Sequence, residues 1–333
     1  DPVAFHETLD RLAADGITHA AVEASSQGLD QRRVDGLRIE AAAFTNLGRD
    51  HMDYHPTVED YLTAKLRLFE VVLPPSGTAV VDMDGARAAD VLAAAKRRGQ
   101  RLVRVGRAGV EIRLVDLKPR DFRQTLTLDA FGRRREVVLP LAGAFQASNA
   151  LVAAGLAIHA GIGEDAAFDA LATLAGARGR LEFVGRKANG AMVFVDYAHK
   201  PDALVGMLQA LRPMADGRLF VIIGAGGNRD QGKRPLMGKA AADNADVVIV
   251  TDDNPRFENP AAIRRAIMSA APLAIEIADR REAIGRAVAM LGSGDVLVVA
   301  GKGHESGQIV GETTVPFSDQ QTVSAALDAE EAA

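Results

Sequence analysis

Residues 245–260 read ADVVIVTDDNPRFENP. The first half carries Val247, Val248, Ile249 and Val250 in an unbroken run, the signature of a strand buried on both faces. The second half sets two carboxylates, an amide, a proline and an arginine ahead of the helix-like AAIRRAIM. A plain turn needs one or two such residues, not five. One reading is a strand-to-helix loop whose Asp or Asn caps the next helix. The other is a pocket rim for a zwitterion, with Arg256 facing a carboxylate and Asp253 an ammonium.

The same design recurs around it. AMVFVDYA, RLFVIIGA and DVLVVAGK are apolar strands that end on DYAHKPD, GAGGNRDQGKR and GKGHE, with helical stretches between them. Buried strands alternating with helices predict an open, mostly parallel sheet, whose ligands sit at the carboxyl ends of the strands. All four polar loops fall at that one edge. This series begins near Gly179 and predicts a Rossmann-like domain over 179–333.

Residues 1–178 read as a different α/β unit. Helix spacing over 3–14 places Phe5, Leu9 and Leu12 on one side, and THAAVEASS and AAAFTNLG read as strands. A helix is predicted over 58–72, with Tyr61, Leu62, Leu66 and Phe69 as its apolar stripe. GTAVVDMD and RLVRVG are short strands flanking a helix at 86–98. Period-two alternation over 111–143 predicts antiparallel hairpins at a sheet edge. From Ala144 to Ala175 the chain is Ala-rich and helical. No internal repeat or low-complexity linker marks the boundary.

Composition narrows the function. The 333 residues carry 39 Lys and Arg against 44 Asp and Glu, and no basic tract stands out, so nucleic acid is not expected as a partner. There is no cysteine, which excludes disulfides and thiol nucleophiles and leaves His, carboxylate or a modified side chain for any metal. No apolar run reaches membrane-spanning length, and DPVAFHETLD lacks a signal peptide's basic and apolar regions, so a cytoplasmic location is expected. A monomer is the expected oligomeric state. The chain opens on Asp-Pro without an initiator Met, which suggests a fragment.

Glu23, His51 and Lys65 are a candidate metal set. Singly, each reads as an ion-pair or capping residue. Lys65 stands apart because its helical neighbours are mostly apolar, a setting that disfavours a free ammonium. A lysine of depressed pKa can react with carbon dioxide, and the resulting carbamate would be an anionic oxygen ligand for Mg²⁺. GAGGNRDQGKR could cradle an anion on its backbone amides, but it is no Walker A sequence. A tight turn accounts for it, and for GKGHE, equally well.

Eight stretches taken in order, EASSQGLDQRRV, FTNLGRDHMDYH, YLTAK, GRLEFVG, VDYAHKPDAL, GAGGNRDQGKRPLMG, TDDNPRFENP and AGKGHE, resemble the Mur ligase family over essentially the whole chain. The DNPR stretch resembles its diaminopimelate-adding members in particular. The resemblance implies a central ATPase-type domain followed by a Rossmann-like domain, and an ATP- and Mg²⁺-dependent amide ligation through an acyl phosphate. The substrates it implies are a UDP-N-acetylmuramoyl-dipeptide, meso-diaminopimelate and ATP. By resemblance, Glu23, His51 and carbamylated Lys65 match the metal set, and Ser25, Gln31 and Arg33 match positions that hold the UDP-precursor. Asn149, Arg180 and Asp196 match groups around the nucleotide. Arg229, Asp253, Asn254, Pro255, Arg256, Gly301 and Glu305 match the diaminopimelate pocket.

Departures also matter. The family's phosphate loop and N-terminal uridine-binding domain, on the order of 150 residues, are not seen, so the fragment by itself is expected to be inactive. Asn228, Gln27 and Gln146 replace residues more usual in the family. A non-catalytic relative is the rival reading, and retention of Glu23, His51, Lys65 and DNPR argues against it. Ligation of lysine is disfavoured by Arg256, since lysine lacks the second carboxylate.

Overall fold

The computed structural model describes residues 2–48, 54–120 and 122–331, and these divide into two compact units. The first holds residues 1–117, 126–138 and 145–172, and the second holds 118–125, 139–144 and 173–333.

The first unit opens with helix α1 (Pro2–Ala14), whose Phe5, Leu9 and Leu12 are half-buried, as their spacing predicts. The expected strand at 18–26 does not form. A strand is defined by its hydrogen-bonded neighbour, none lies beside residues 17–25 among the described residues, and Ile17 and Val22 stay exposed. A short helix α2 (Ser26–Asp30) follows, then strand β1 (Ala41–Phe44) and helix α3 (Val58–Arg67). The 58–72 helix is correct in extent but changes pitch after Arg67. The Leu73 N–H reaches back five residues to Leu68 O at 2.8 Å, and Gln100 Nε2 satisfies the carbonyls of Phe69 and Leu73. Strand β2 (Thr78–Asp82), helix α4 (Ala88–Arg97), strands β3 (Arg101–Gly106), β4 (Ile112–Arg120), β5 (Arg123–Ala130) and β6 (Arg133–Leu139), and helices α5 (Ala144–His159) and α6 (Glu164–Leu171) complete the series. The sheet runs β1-β2-β3-β4-β5-β6, parallel from β1 to β4. Phe131 and Gly132 between β5 and β6 both have left-handed φ, the geometry of a tight antiparallel hairpin.

The second unit carries the predicted Rossmann-like series. It contains β7 (Glu182–Arg186), β8 (Met192–Asp196), α7 (Pro201–Leu211), β9 (Leu219–Ile223), α8 (Lys233–Asn244), β10 (Val247–Val250), α9 (Pro260–Met268) and β11 (Ile275–Glu276). Helix α10 (Arg280–Met290), β12 (Val296–Ala300), the hairpin β13 (Gly307–Val310) and β14 (Thr313–Pro316), and α11 (Asp319–Glu331) follow. The sheet order is β11-β10-β9-β12-β8-β7, parallel except for β7.

The unbroken apolar runs have a direct cause. Val221, Ile223, Val250 and Val298 pack under α7, α8 and α9, while the alternate residues Phe220, Ile222, Ile249 and Leu297 pack under α10 and α11. Each buried aliphatic side chain contributes about 1.5–3 kcal/mol. Neighbouring β9 and β12 send the chain in opposite directions, β9 to β10 and β12 to α11 over β7 and β8. Such a divergence is where open parallel sheets bind their ligands, at the carboxyl ends of the strands. Among the described residues no helix is long and apolar enough to cross a membrane.

Candidate functional site

The stretch at 251–260 divides its labour residue by residue. The Asp252 carboxylate pairs with Arg264 of α9, which also donates to Glu276 at 2.7 Å, and Asn259 caps α9 by accepting the Ala261 N–H. Those two take the bland role of a strand-to-helix loop. Asp253, Asn254 and Pro255 instead turn inward and are buried. Asp253 Oδ1 accepts its neighbour's N–H at 2.6 Å, and its Oδ2 lies against Gly301. A Cβ on Gly301 would sit 2.7 Å from that oxygen, and φ there is 115°, so only glycine fits.

Asn254 is fully engaged. Its amide donates to Glu305 Oε2 at 2.8 Å, and its Oδ1 accepts Lys302 Nζ at 2.8 Å and the Ile309 N–H at 2.9 Å. Arg256 takes a left-handed backbone, φ 51°, which costs a non-glycine residue about 1–2 kcal/mol. Its N–H donates to Ile309 O and its carbonyl accepts the Gly311 N–H, so β13 holds it there. Its Nη1 donates to Gly227 O at 3.0 Å, laying the guanidinium along the Gly-rich turn. Gly227 is required, because a Cβ there would fall 2.0 Å from Pro255 O.

The Gly-rich turn is braced from beneath by buried Arg234, which grips Glu258 with both terminal nitrogens at 3.0 Å. That guanidinium, helped by the Asn228 N–H, holds the Glu258 carboxyl below its ordinary value. Arg229 stands exposed on the same turn. Beside the pocket, Asp196 is buried and accepts the N–H groups of Leu181 and Ala198 at 2.6 and 2.7 Å. Burial pushes its carboxyl above the ordinary value, and those bonds and Arg180 offset the rise only in part. Arg180 lies over the Tyr197 ring at 4.6 Å, and Tyr197 neighbours His304 at 5.3 Å. Asp196 O also accepts the Gly301 N–H, which ties this group to the pocket floor.

The first unit arranges its candidates differently. Ser25 caps α2, accepting the Gly28 N–H at 3.1 Å, while Glu23, Gln31 and Asn149 are exposed and Arg33 is half-buried. Asn149 reaches Gln146 only at 3.5 Å. Lys65 is half-buried on α3 with Nζ 5.4 Å from the centre of the Tyr61 ring. His51 lies outside the described residues. Among those described, no group of three or more His, Asp or Glu is placed to hold a metal.

Sequence reasoning missed three residues. His55 is buried, with Nε2 3.0 Å from Ser26 Oγ and its ring 5.3 Å from Tyr61. Lys302 and Arg234 are buried cations beneath the pocket, and both sit inside glycine-bearing motifs that a tight turn explains equally well from sequence.

Two units of this construction, the second with charged loops at its strand ends, match the domains of an amide ligase, and the chain belongs to the Mur ligase family. The Mur ligase middle domain matches residues 1–157 and the Mur ligase glutamate ligase domain matches residues 179–303. The chain is 58% identical over 333 residues to the UDP-N-acetylmuramoyl-L-alanyl-D-glutamate–2,6-diaminopimelate ligase of Bradyrhizobium diazoefficiens, covering 98% of this chain and 68% of that protein. The protein of the same name from Brucella melitensis is 56% identical over 329 residues, covering 99% and 67%. A solved structure of a ligase of that name aligns with a TM-score of 0.67 at 36% identity, over 98% of this chain and 68% of its own. The family and the mostly parallel α/β class expected from sequence both hold.

Proposed function

We propose that this chain belongs to a ligase that adds meso-2,6-diaminopimelate to UDP-N-acetylmuramoyl-L-alanyl-D-glutamate at the cost of ATP. In the proposed reaction the γ-phosphoryl group passes to the glutamate side-chain carboxylate. The diaminopimelate amine then attacks the acyl phosphate, an amide bond forms, and phosphate leaves. The carrying observation is the meeting of Asp253, Arg256, Gly301 and Glu305 at one strand edge, acids and a guanidinium around a pocket braced by Asn254. A diamino diacid needs both signs of partner.

Within this reading, residues 179–333 form the amino-acid domain, with Arg229 and Pro255 at the pocket rim. Residues 1–178 form the central domain, with Ser25, Gln31 and Arg33 toward the UDP-precursor. Asn149 of the one unit, and Arg180 and Asp196 of the other, are assigned to the nucleotide by resemblance. Mg²⁺, whose proposed ligands Glu23, His51 and carbamylated Lys65 suit a cysteine-free oxygen and imidazole site, would supply neutralisation of phosphate charge. Arg256 disfavours lysine as the substrate, since lysine offers its planar fork no second carboxylate to grip.

The test is ADP release by the complete protein with ATP, the UDP-dipeptide and either meso-diaminopimelate or L-lysine. Release that depends on diaminopimelate is expected. Equal release with lysine would remove the substrate assignment.

A further inference from the structure

Among the described residues, the side chains of Arg280 and Lys302 lie wholly inside the second unit, and they are neutralised in different ways. Arg280 grips Asp319 of α11 with Nε at 2.8 Å and Nη2 at 2.7 Å, a pair sealed from solvent on both sides. Lys302, 0% exposed, has no comparable partner of its own. Its Nζ donates to Asn254 Oδ1 and Gly307 O, each at 2.8 Å, and stands 3.4 Å from Glu305 Oε2. Among the described residues Glu305 is the one carboxylate within ion-pair distance of it, and Glu305 is 32% exposed at the pocket. A buried ammonium without an anion is costly. The pocket acid therefore doubles as the counter-ion of a core lysine.

Chemistry then sets the orientation of the pocket. An ammonium offers three donors and no acceptor, so it can face only the oxygen end of the Asn254 amide. The Ile309 N–H, at 2.9 Å from the same oxygen, makes the same demand. The amide nitrogen is thereby sent to Glu305 Oε2. Both bonds to the carboxylate fall on Oε2, which leaves Oε1 for a ligand.

We infer that Lys302 is a specificity-determining positioning residue: it fixes the amide of Asn254 and, through it, the Glu305 carboxylate that receives an ammonium of the incoming diamino acid. This rests on the ligase reading above.

The experiment is steady-state kinetics of the complete protein as wild type, Lys302→Met, Glu305→Gln and the double variant, with melting curves for each. The expected result for Lys302→Met is a KM for diaminopimelate raised about tenfold or more, the scale of leaving a buried polar group unpaired. Its kcat and its KM for ATP should stay within roughly threefold, because a purely structural defect would move all three. The double variant should cost no more than the worse single one, since both act through one network. Where Lys302→Met alone does not fold, the double variant, which removes both charges, carries the test through its own KM split. An unchanged KM for diaminopimelate, multiplicative losses, or failure of both variants to fold overturns the inference and makes Lys302 a core strut. A wild type that ignores diaminopimelate overturns the ligase reading instead.

Discussion

The pocket of the second unit and the candidates of the first differ in how their side chains are held. Asp253, Asn254, Arg256 and Glu305 sit on loops cross-braced by Gln308, Ile309, Gly227 and Lys302. Glu23, Gln31 and Asn149 are exposed, and the Ser25 hydroxyl is used on a local helix cap. The first arrangement sets its geometry during folding, so little ordering is left for ligand binding. Substitutions around the DNPR loop of the second unit should then act on amino-acid affinity, whereas substitutions in the proposed metal set of the first should act on the chemical step.

The strongest challenge to that division is Lys65→Ala. If Lys65 carries a carbamate that serves the phosphoryl chemistry, kcat in the complete protein should fall about 100-fold or more, beyond the scale of losing a supporting group around a metal. Added bicarbonate should not restore it, and the KM for diaminopimelate should hold. A fully active variant would remove the carbamate role and, with it, the contrast between the units.

Gly301→Ala should give a smaller effect of the opposite kind. A methyl group 2.7 Å from Asp253 Oδ2, on a backbone at φ 115°, should cost about 1–3 kcal/mol of stability and raise the KM for diaminopimelate more than that for ATP. Melting curves and kinetics on one preparation check both halves. Wild-type values in both would mean that the loop gives way more easily than its hydrogen bonds imply.

The smallest effect concerns acid stability. Glu258 is held below its ordinary value of 4.5, first by the Arg234 guanidinium and then by the Asn228 N–H. A carboxyl whose folded pKa is depressed contributes stability above its unfolded pKa and loses it as pH falls through the folded value. The Tm difference between wild type and Glu258→Gln should therefore be largest near neutral pH and shrink below 4.5. A difference independent of pH would assign the effect to packing. Asp196, whose carboxyl burial raises, has the reverse sign: its contribution favours the fold at low pH and is lost as pH rises through the raised value.

How far these features could be read from sequence follows from burial. Strands β8, β9, β10 and β12 were legible because both faces are covered, leaving unbroken runs such as Leu219–Ile223. Strand β7 escaped because a bulge between Phe183 and Gly185 breaks its alternation, and the β13–β14 hairpin because its residues are mostly exposed. The strand expected at 18–26 failed for want of a neighbour, which composition cannot reveal. Within the pocket, the charges of Asp253 and Arg256 stood out in their loop, whereas Glu305 was reached only through the family resemblance. The role of Asn254 did not stand out, because its bonds reach Lys302 and Ile309, some fifty positions away. Lys302 in GKGHE looks like any solvated lysine until the fold closes over it.

If the DNPR loop grips a diamino diacid, Arg256→Lys in the complete protein should loosen that grip. An ammonium cannot reproduce the planar fork. Loss of a charge-assisted pair should weaken diaminopimelate by roughly 2–5 kcal/mol. The loss should appear in the KM for diaminopimelate, with the KM for ATP nearly unchanged and selectivity against lysine reduced. A raised KM for ATP with diaminopimelate untouched would contradict it and return residues 252–256 to the status of a structural turn.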